Sequence, residues 1–94
     1  MSVYVDELRR WPTRLRIFME GSAHLTADTL DELHAFAERI GLRRAWFQPH
    51  ALAPHYDLTP KRLAAALLHG AVFVPVKEQA RARIAARAAA IGGP

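Results

Sequence analysis

Five histidines, His24, His34, His50, His55 and His69, are the side chains best suited to proton transfer near neutral pH, and a carboxylate beside one of them completes a general acid/base pair. His55 and Asp57 stand two residues apart in "HYDLTPKR", and Asp6 and Asp28 are further acids placed to join them. The same stretch raises a second chemistry. Thr59 reads as an N-cap and Pro60 as the first helical residue, yet Lys61 and Arg62 follow where a helix start favours Asp or Glu. Free N–H groups at a helix start bind anions, and two cations strengthen such a site for phosphate or carboxylate. The plainer reading has both cations in water or paired with Asp57.

These residues need elements to carry them. "SVYVD" alternates in the manner of a strand, Val3 to Asp6, leaving the acid at the strand end, where sites in α/β folds often lie. Pro12 breaks any helix over residues 7–21, so "RLRIFM" is an extra strand or a packed loop. "SAHLTA" reads as a second strand, Ser22 to Thr26, bearing His24. "TLDELHAFAERIG" is the clearest helix: Thr29 and Glu32 form a capping box, Asp31 and Glu32 suit the dipole, and Gly41 follows the end. Its apolar stripe is Leu30, Leu33, Ala37 and Ile40, with His34 at the border.

Residues 42–58 hold prolines, aromatics and histidines without a sustained period, and a loop this long in a small domain points to function. A second helix, Pro60 to His69, buries Leu63, Ala66 and Leu67 and ends at Gly70; "AVFV" then fits an interior strand. Val76 to Ile91 forms a third helix with Ala80, Ile84 and Ala88 inward and Lys77, Arg81, Arg83 and Arg87 outward. This order predicts one compact α/β or α+β domain over residues 1–94, a three- to four-stranded sheet packed with three helices, with only residues 92–94 as a frayed tail.

Bulk properties narrow the class. Ninety-four residues suit one core and not two, and 51% hydrophobic with 23% charged residues is globular composition. With no cysteine, disulfides and thiolate metal sites are excluded. The acids and arginines of "MSVYVDELRR" do not fit a signal peptide, and no stretch nears the ~18 apolar residues of a membrane span, so a cytoplasmic, soluble location is expected. The net charge of +4 is concentrated in the third helix.

Several sharper motifs fail. "HLT" at His24 to Thr26 matches half of the paired H-x-T signature of two-histidine phosphoesterases, and no second copy exists. His50, His55 and Asp57 have acceptable metal-ligand types, but their spacing matches no established motif, so no cofactor is expected and a divalent metal is the lesser alternative. His69, beside Gly70, suits a helix C-terminus, while Trp46 and Phe47 either stack on a base or pack into the core.

"VYVDELR", "HLTADTLDELHAFAERIGLRRAWFQ" and "HYDLTPKRLAAALLHGAVFV" together resemble a family of small bacterial and phage proteins catalogued as a domain of unknown function, number four thousand and thirty-one. The resemblance spans Val3 to about Val76. Its polar signature corresponds to Asp6, His24, Asp28, Glu32, His34, Trp46, His55, Tyr56, Asp57, Lys61 and Arg62, with His50 and His69 outside it and extra residues between Arg9 and Gly21. It implies no activity.

The reading that follows is a domain binding a phosphate-bearing ligand, a nucleotide or nucleic-acid end. Thr59, Lys61 and Arg62 bind the anion, His24, His34, His55 and Asp57 supply acid/base catalysis of phosphoester hydrolysis or transfer, and Asp6, Asp28, Trp46 and Tyr56 support them. The alternative is a non-enzymatic module that binds nucleic acid or protein through the basic third helix and the aromatic loop.

Overall fold

The computed structural model describes residues 2–9, 21–51 and 53–91, with the side chains of residues 83 and 86–91 excepted. Strands β1 (Val3–Val5) and β2 (Ala23–Ala27) precede helix α1 (Leu30–Arg39); a 3-10 turn (Arg44–Trp46) leads to β3 (Tyr56–Leu58), α2 (Pro60–Leu68), β4 (Val72–Phe73) and α3 (Val76–Ile91). The sheet runs β3-β2-β1-β4, antiparallel between β1 and β2 and between β2 and β3, and parallel between β1 and β4. This is an α+β fold with a mixed sheet. Most of residues 7–21, including "RLRIFM", and residues 92–94 lie outside the described residues.

Alternation along the strands gives the sheet two unlike faces. Val5, Leu25 and Tyr56 form one cross-strand row and Ala23 and Leu58 another, and all five are buried. Helix α1 packs on β1 and β2, and α2 on β1 and β3, adding Leu33, Phe36, Ala37, Ile40 and Ala66 to the core. The other face carries Tyr4, His24, Thr26 and Asp57. There side chains tie α3 down: Thr26 Oγ1 donates to Gln79 Oε1 at 3.0 Å, Gln79 Nε2 donates to the Val74 carbonyl at 2.9 Å, and the Val76 amide donates to Glu7 Oε1 at 3.0 Å.

Both packed helices begin and end as their sequences require. Thr29 Oγ1 accepts the Glu32 amide at 3.2 Å, and Thr59 Oγ1 accepts the Arg62 amide at 3.3 Å. Each closes in a Schellman arrangement at a left-handed glycine. Gly41 (φ 83°) donates to Glu38 and Leu42 to Ala37, while Gly70 (φ 101°) donates to Leu67 and Ala71 to Ala66.

Several expectations give way to packing. Leu30 is 49% exposed and Phe36 takes its place in the core, because the stripe that meets the sheet is rotated toward Leu33, Phe36, Ala37 and Ile40. Leu67 is exposed, and Ile84 is 68% exposed, so α3 does not bury the inward stripe drawn for it; the side chain of Ala88 lies outside the described residues. "AVFV" supplies an edge strand rather than an interior one: Val72 and Phe73 are half exposed because β4 pairs with β1 on one side at the end of the sheet order. "HYD" is no loop; Tyr56 and Asp57 belong to β3, whose pairing with β2 supplies an order that the local sequence does not display.

Candidate functional site

Asp6 follows the last residue of β1, and its carboxylate is turned inward and only 3% exposed. Oδ1 accepts the backbone amide of His24 at 2.6 Å and Oδ2 lies 2.7 Å from His24 Nδ1. A carboxylate accepts only, so His24 carries a proton on Nδ1 and turns Nε2 toward Asp57. His55, one residue before β3, makes the matching choice by another route: its Nδ1 is 2.8 Å from the Ala53 carbonyl, which also only accepts. Two imidazoles that each engage an acceptor through Nδ1–H therefore stand side by side, their centroids 4.7 Å apart and their planes nearly perpendicular.

Asp57 lies between them. It pairs directly with His24 across β2 and β3, and shares a strand face with His55 because the two are separated by one residue. Asp57 Oδ1 is 3.7 Å from His24 Nε2 and 3.5 Å from His55 Nε2. The proximity of His55 holds the Asp57 carboxyl below its ordinary range, partly offset by burial. Conversely Asp57 raises the His55 imidazole against the opposing effect of burial.

Asp6, His24 and His55 line a cleft of about 200 Å³ together with Thr26, His50, Ala53, Val76 and Gln79. Thr26, Ala53 and Gln79 continue into a larger cavity of about 540 Å³ with Tyr4 and Asp28 at its rim and a mostly apolar wall of Ala27, Pro54, Val74 and Ala82. Together they form a groove between the sheet and α3, charged at one end and apolar at the other. Asp28 borders the apolar end, where Tyr4 Oη donates to it at 2.8 Å and the Ser2 amide at 2.9 Å; these bonds hold its carboxyl below the ordinary range.

His34 does not join this centre. It lies on α1 across the sheet, with Nδ1 2.8 Å from Tyr56 Oη and its ring edge-on to Phe47 at 4.6 Å. Burial, and secondarily Arg44, lower its pKa. Tyr56 is accordingly a core residue of that face. Trp46 sits on the exposed 3-10 turn with the Arg43 guanidinium carbon 6.0 Å from its ring centroid.

The cations of the α2 start also have a structural explanation. Arg62 Nη1 donates to the Ile40 carbonyl at 2.6 Å, placing its charge at the negative end of α1. Gly41 makes this possible, because a Cβ there would stand 2.7 Å from that nitrogen. Lys61 is exposed, and Thr59 spends its hydroxyl on the Arg62 amide. The sequence puzzle of an arginine at a helix start resolves in the end of a different helix.

Gln79 and the Ala53 carbonyl were not visible as site elements: neither residue type signals chemistry, and both arrive through tertiary contact. The His55–Asp57 pair was legible from its two-residue separation, though in a stretch read as a loop, and its place beside His24 follows from the pairing of β2 and β3.

A buried acid at a strand end, paired histidines on adjacent strands and a groove under the last helix define an α+β domain with a polar centre on one sheet face. The family described as "Protein of unknown function (DUF4031)" matches residues 3–87, and the chain belongs to that family. No curated protein and no solved structure matches it. Among the described residues, no helix is long and apolar enough to cross a membrane.

Proposed function

We propose that the domain binds a nucleotide or another phosphate ester in the groove and hydrolyses it at the His24–His55–Asp57 centre. The observation that supports this reading is a shared ring orientation: Asp6 and the Ala53 carbonyl each engage an Nδ1–H, Nε2 of both rings lies beside Asp57, and both histidines line one cleft. Either nitrogen can take a proton from water as its oxygen bonds to phosphorus. The ester P–O bond then breaks, and the proton passes to the departing alkoxide. Asp57 stabilises the imidazolium formed in between, in keeping with the raised pKa of His55. The phosphate would stand at the charged end and a base or sugar against the apolar wall beside Tyr4. Neither cation of the α2 start lines the groove: Lys61 is exposed and Arg62 is engaged by α1.

The test is thermal denaturation of the untagged protein with nucleoside monophosphates and inorganic phosphate, alongside turnover of an activated phosphodiester. The expected result is a raised Tm with a nucleotide and turnover that H55N and D57N abolish. Stabilisation by none of these compounds, or turnover unchanged in both variants, contradicts the reading. The interaction-module alternative draws support from exposed Trp46 with Arg43 above it. It predicts salt-sensitive binding of single-stranded nucleic acid, lost in W46A and kept in H55N.

A further inference from the structure

We propose that His24, His55 and Asp57 form a binding site for a first-row transition-metal dication, represented by Zn(II). This deepens the proposed function and rests on it only for the location of the reacting centre: with the ion bound, both Nε2 atoms are ligands, so activation of the water would fall to the ion in place of an imidazole, and the ion's binding does not depend on which ester is cleaved.

Geometry is the first support. One ligand atom from each of the three residues lies within 4.8 Å of the others. Bonds of about 2.0–2.2 Å around a tetrahedral ion place neighbouring ligand atoms about 3.3 Å apart. Both imidazole-to-carboxylate separations, 3.5 and 3.7 Å, are close to that edge.

The outer contacts are the second and stronger support. A metal-bound histidine characteristically donates its other ring N–H to a carboxylate or a backbone carbonyl, which fixes the ring and increases its basicity. This cluster shows one of each: Asp6 on His24 and Ala53 on His55. Asp6 is itself immobilised, since its second oxygen accepts the His24 amide and its side chain is buried. The orientation of the His24 ring is therefore set by the main chain of the strand that carries it. His24 and Asp57 are direct cross-strand partners, so two of the three ligands ride on the paired part of the sheet.

Ligand chemistry selects the ion. Two imidazoles with one carboxylate suit zinc and its first-row neighbours, whereas calcium and magnesium demand oxygen ligands. Three protein ligands beside a cleft leave a position for water, the arrangement of catalytic rather than structural zinc. Charge points the same way. Asp6 and Asp57 repel a phosphate brought to this end of the groove, and a dication bound by one of them cancels their charge.

The experiment is calorimetric titration of untagged, chelator-treated protein with ZnCl2, accompanied by the visible spectrum of the CoCl2-loaded protein. The expected result is one equivalent bound with micromolar or tighter affinity, and a tetrahedral or five-coordinate cobalt spectrum. H55N and D57N should each weaken binding at least tenfold with unchanged circular dichroism. D6N, which leaves all three ligands in place and removes one of the two oxygens that hold His24, should weaken it about ten- to a hundredfold. H69N, at the end of α2 and outside the cleft, separates this site from casual imidazole binding and should leave the affinity unchanged. Binding weaker than about 100 μM in the wild type overturns the proposal without any variant having to fold, and so does binding that H55N and D57N leave intact. If zinc binds as expected and no phosphate ester is turned over, the ion site stands and the hydrolytic reading falls.

Discussion

The two faces of the sheet are built from alternate residues of the same strands, yet obey opposite rules. Val5, Leu25 and Tyr56 look toward α1 and α2, and their neighbours exclude water by packing. Tyr4, His24 and Asp57 look toward α3, which touches the sheet through a glutamine and leaves a groove. One face contributes the stability that lets the other hold polar groups at fixed separations. A one-residue slip of β2 would exchange the roles of His24 and Leu25 and destroy both.

The largest expected effect is therefore on the packed face. Leu25→Ala removes a fully buried side chain at the centre of the sheet and should cost about 2–5 kcal/mol, read as a lowered urea midpoint. On the open face, Asp57→Asn should leave the midpoint within about 1 kcal/mol, because surface-accessible sites away from core packing contribute little, while removing metal binding and turnover. A D57N protein as unstable as L25A would break the division between the faces.

Next in size is Arg62→Met, which strips a charged donor from the Ile40 carbonyl and should cost about 1.5 kcal/mol. Nucleotide binding should be unaffected by it; a loss of ligand affinity with unchanged stability would return Arg62 to an anion-binding role. Thr29→Ala, removing the α1 cap, should cost about 1 kcal/mol and leave the groove intact.

The smallest effect distinguishes the faces by pH. His34, on the packed face, has a pKa lowered chiefly by burial, so the unfolded chain takes up its proton first. The stability it permits is complete above the unfolded value near 6.5 and is lost as pH falls from there to the lower folded value. His55, on the open face, has a pKa raised chiefly by Asp57, and its contribution is complete below that value and lost as pH rises through the higher folded one. Between pH 5 and 8, H34Q should flatten the acid limb of the stability profile and H55N the neutral limb. Equal flattening by both would contradict the opposed environments.

The helix caps were legible because they are local: Thr29 and Thr59 start, and Gly41 and Gly70 stop, what their neighbours propagate. Strand β3 was hidden because three residues cannot display a period, and its existence depends on pairing with β2. The exposure of Leu30 and Ile84 was hidden for a related reason, since an apolar stripe does not say where its partner ends. Asp6, His24, His55 and Asp57 were all recognisable as chemical residues, whereas the sheet face that unites them and excludes His34 follows from register. Arg62 was conspicuous for a correct reason, a cation at a helix start, but its partner lies 22 residues earlier in the chain.

The tautomers of His24 and His55 are the central claim, and nitrogen-15 NMR of the imidazoles reads them directly. At a pH high enough for both rings to be uncharged, each should show a protonated Nδ1 and an unprotonated Nε2, and addition of ZnCl2 should move both Nε2 signals together. An Nε2–H form for both rings, with signals that zinc leaves in place, would contradict the account.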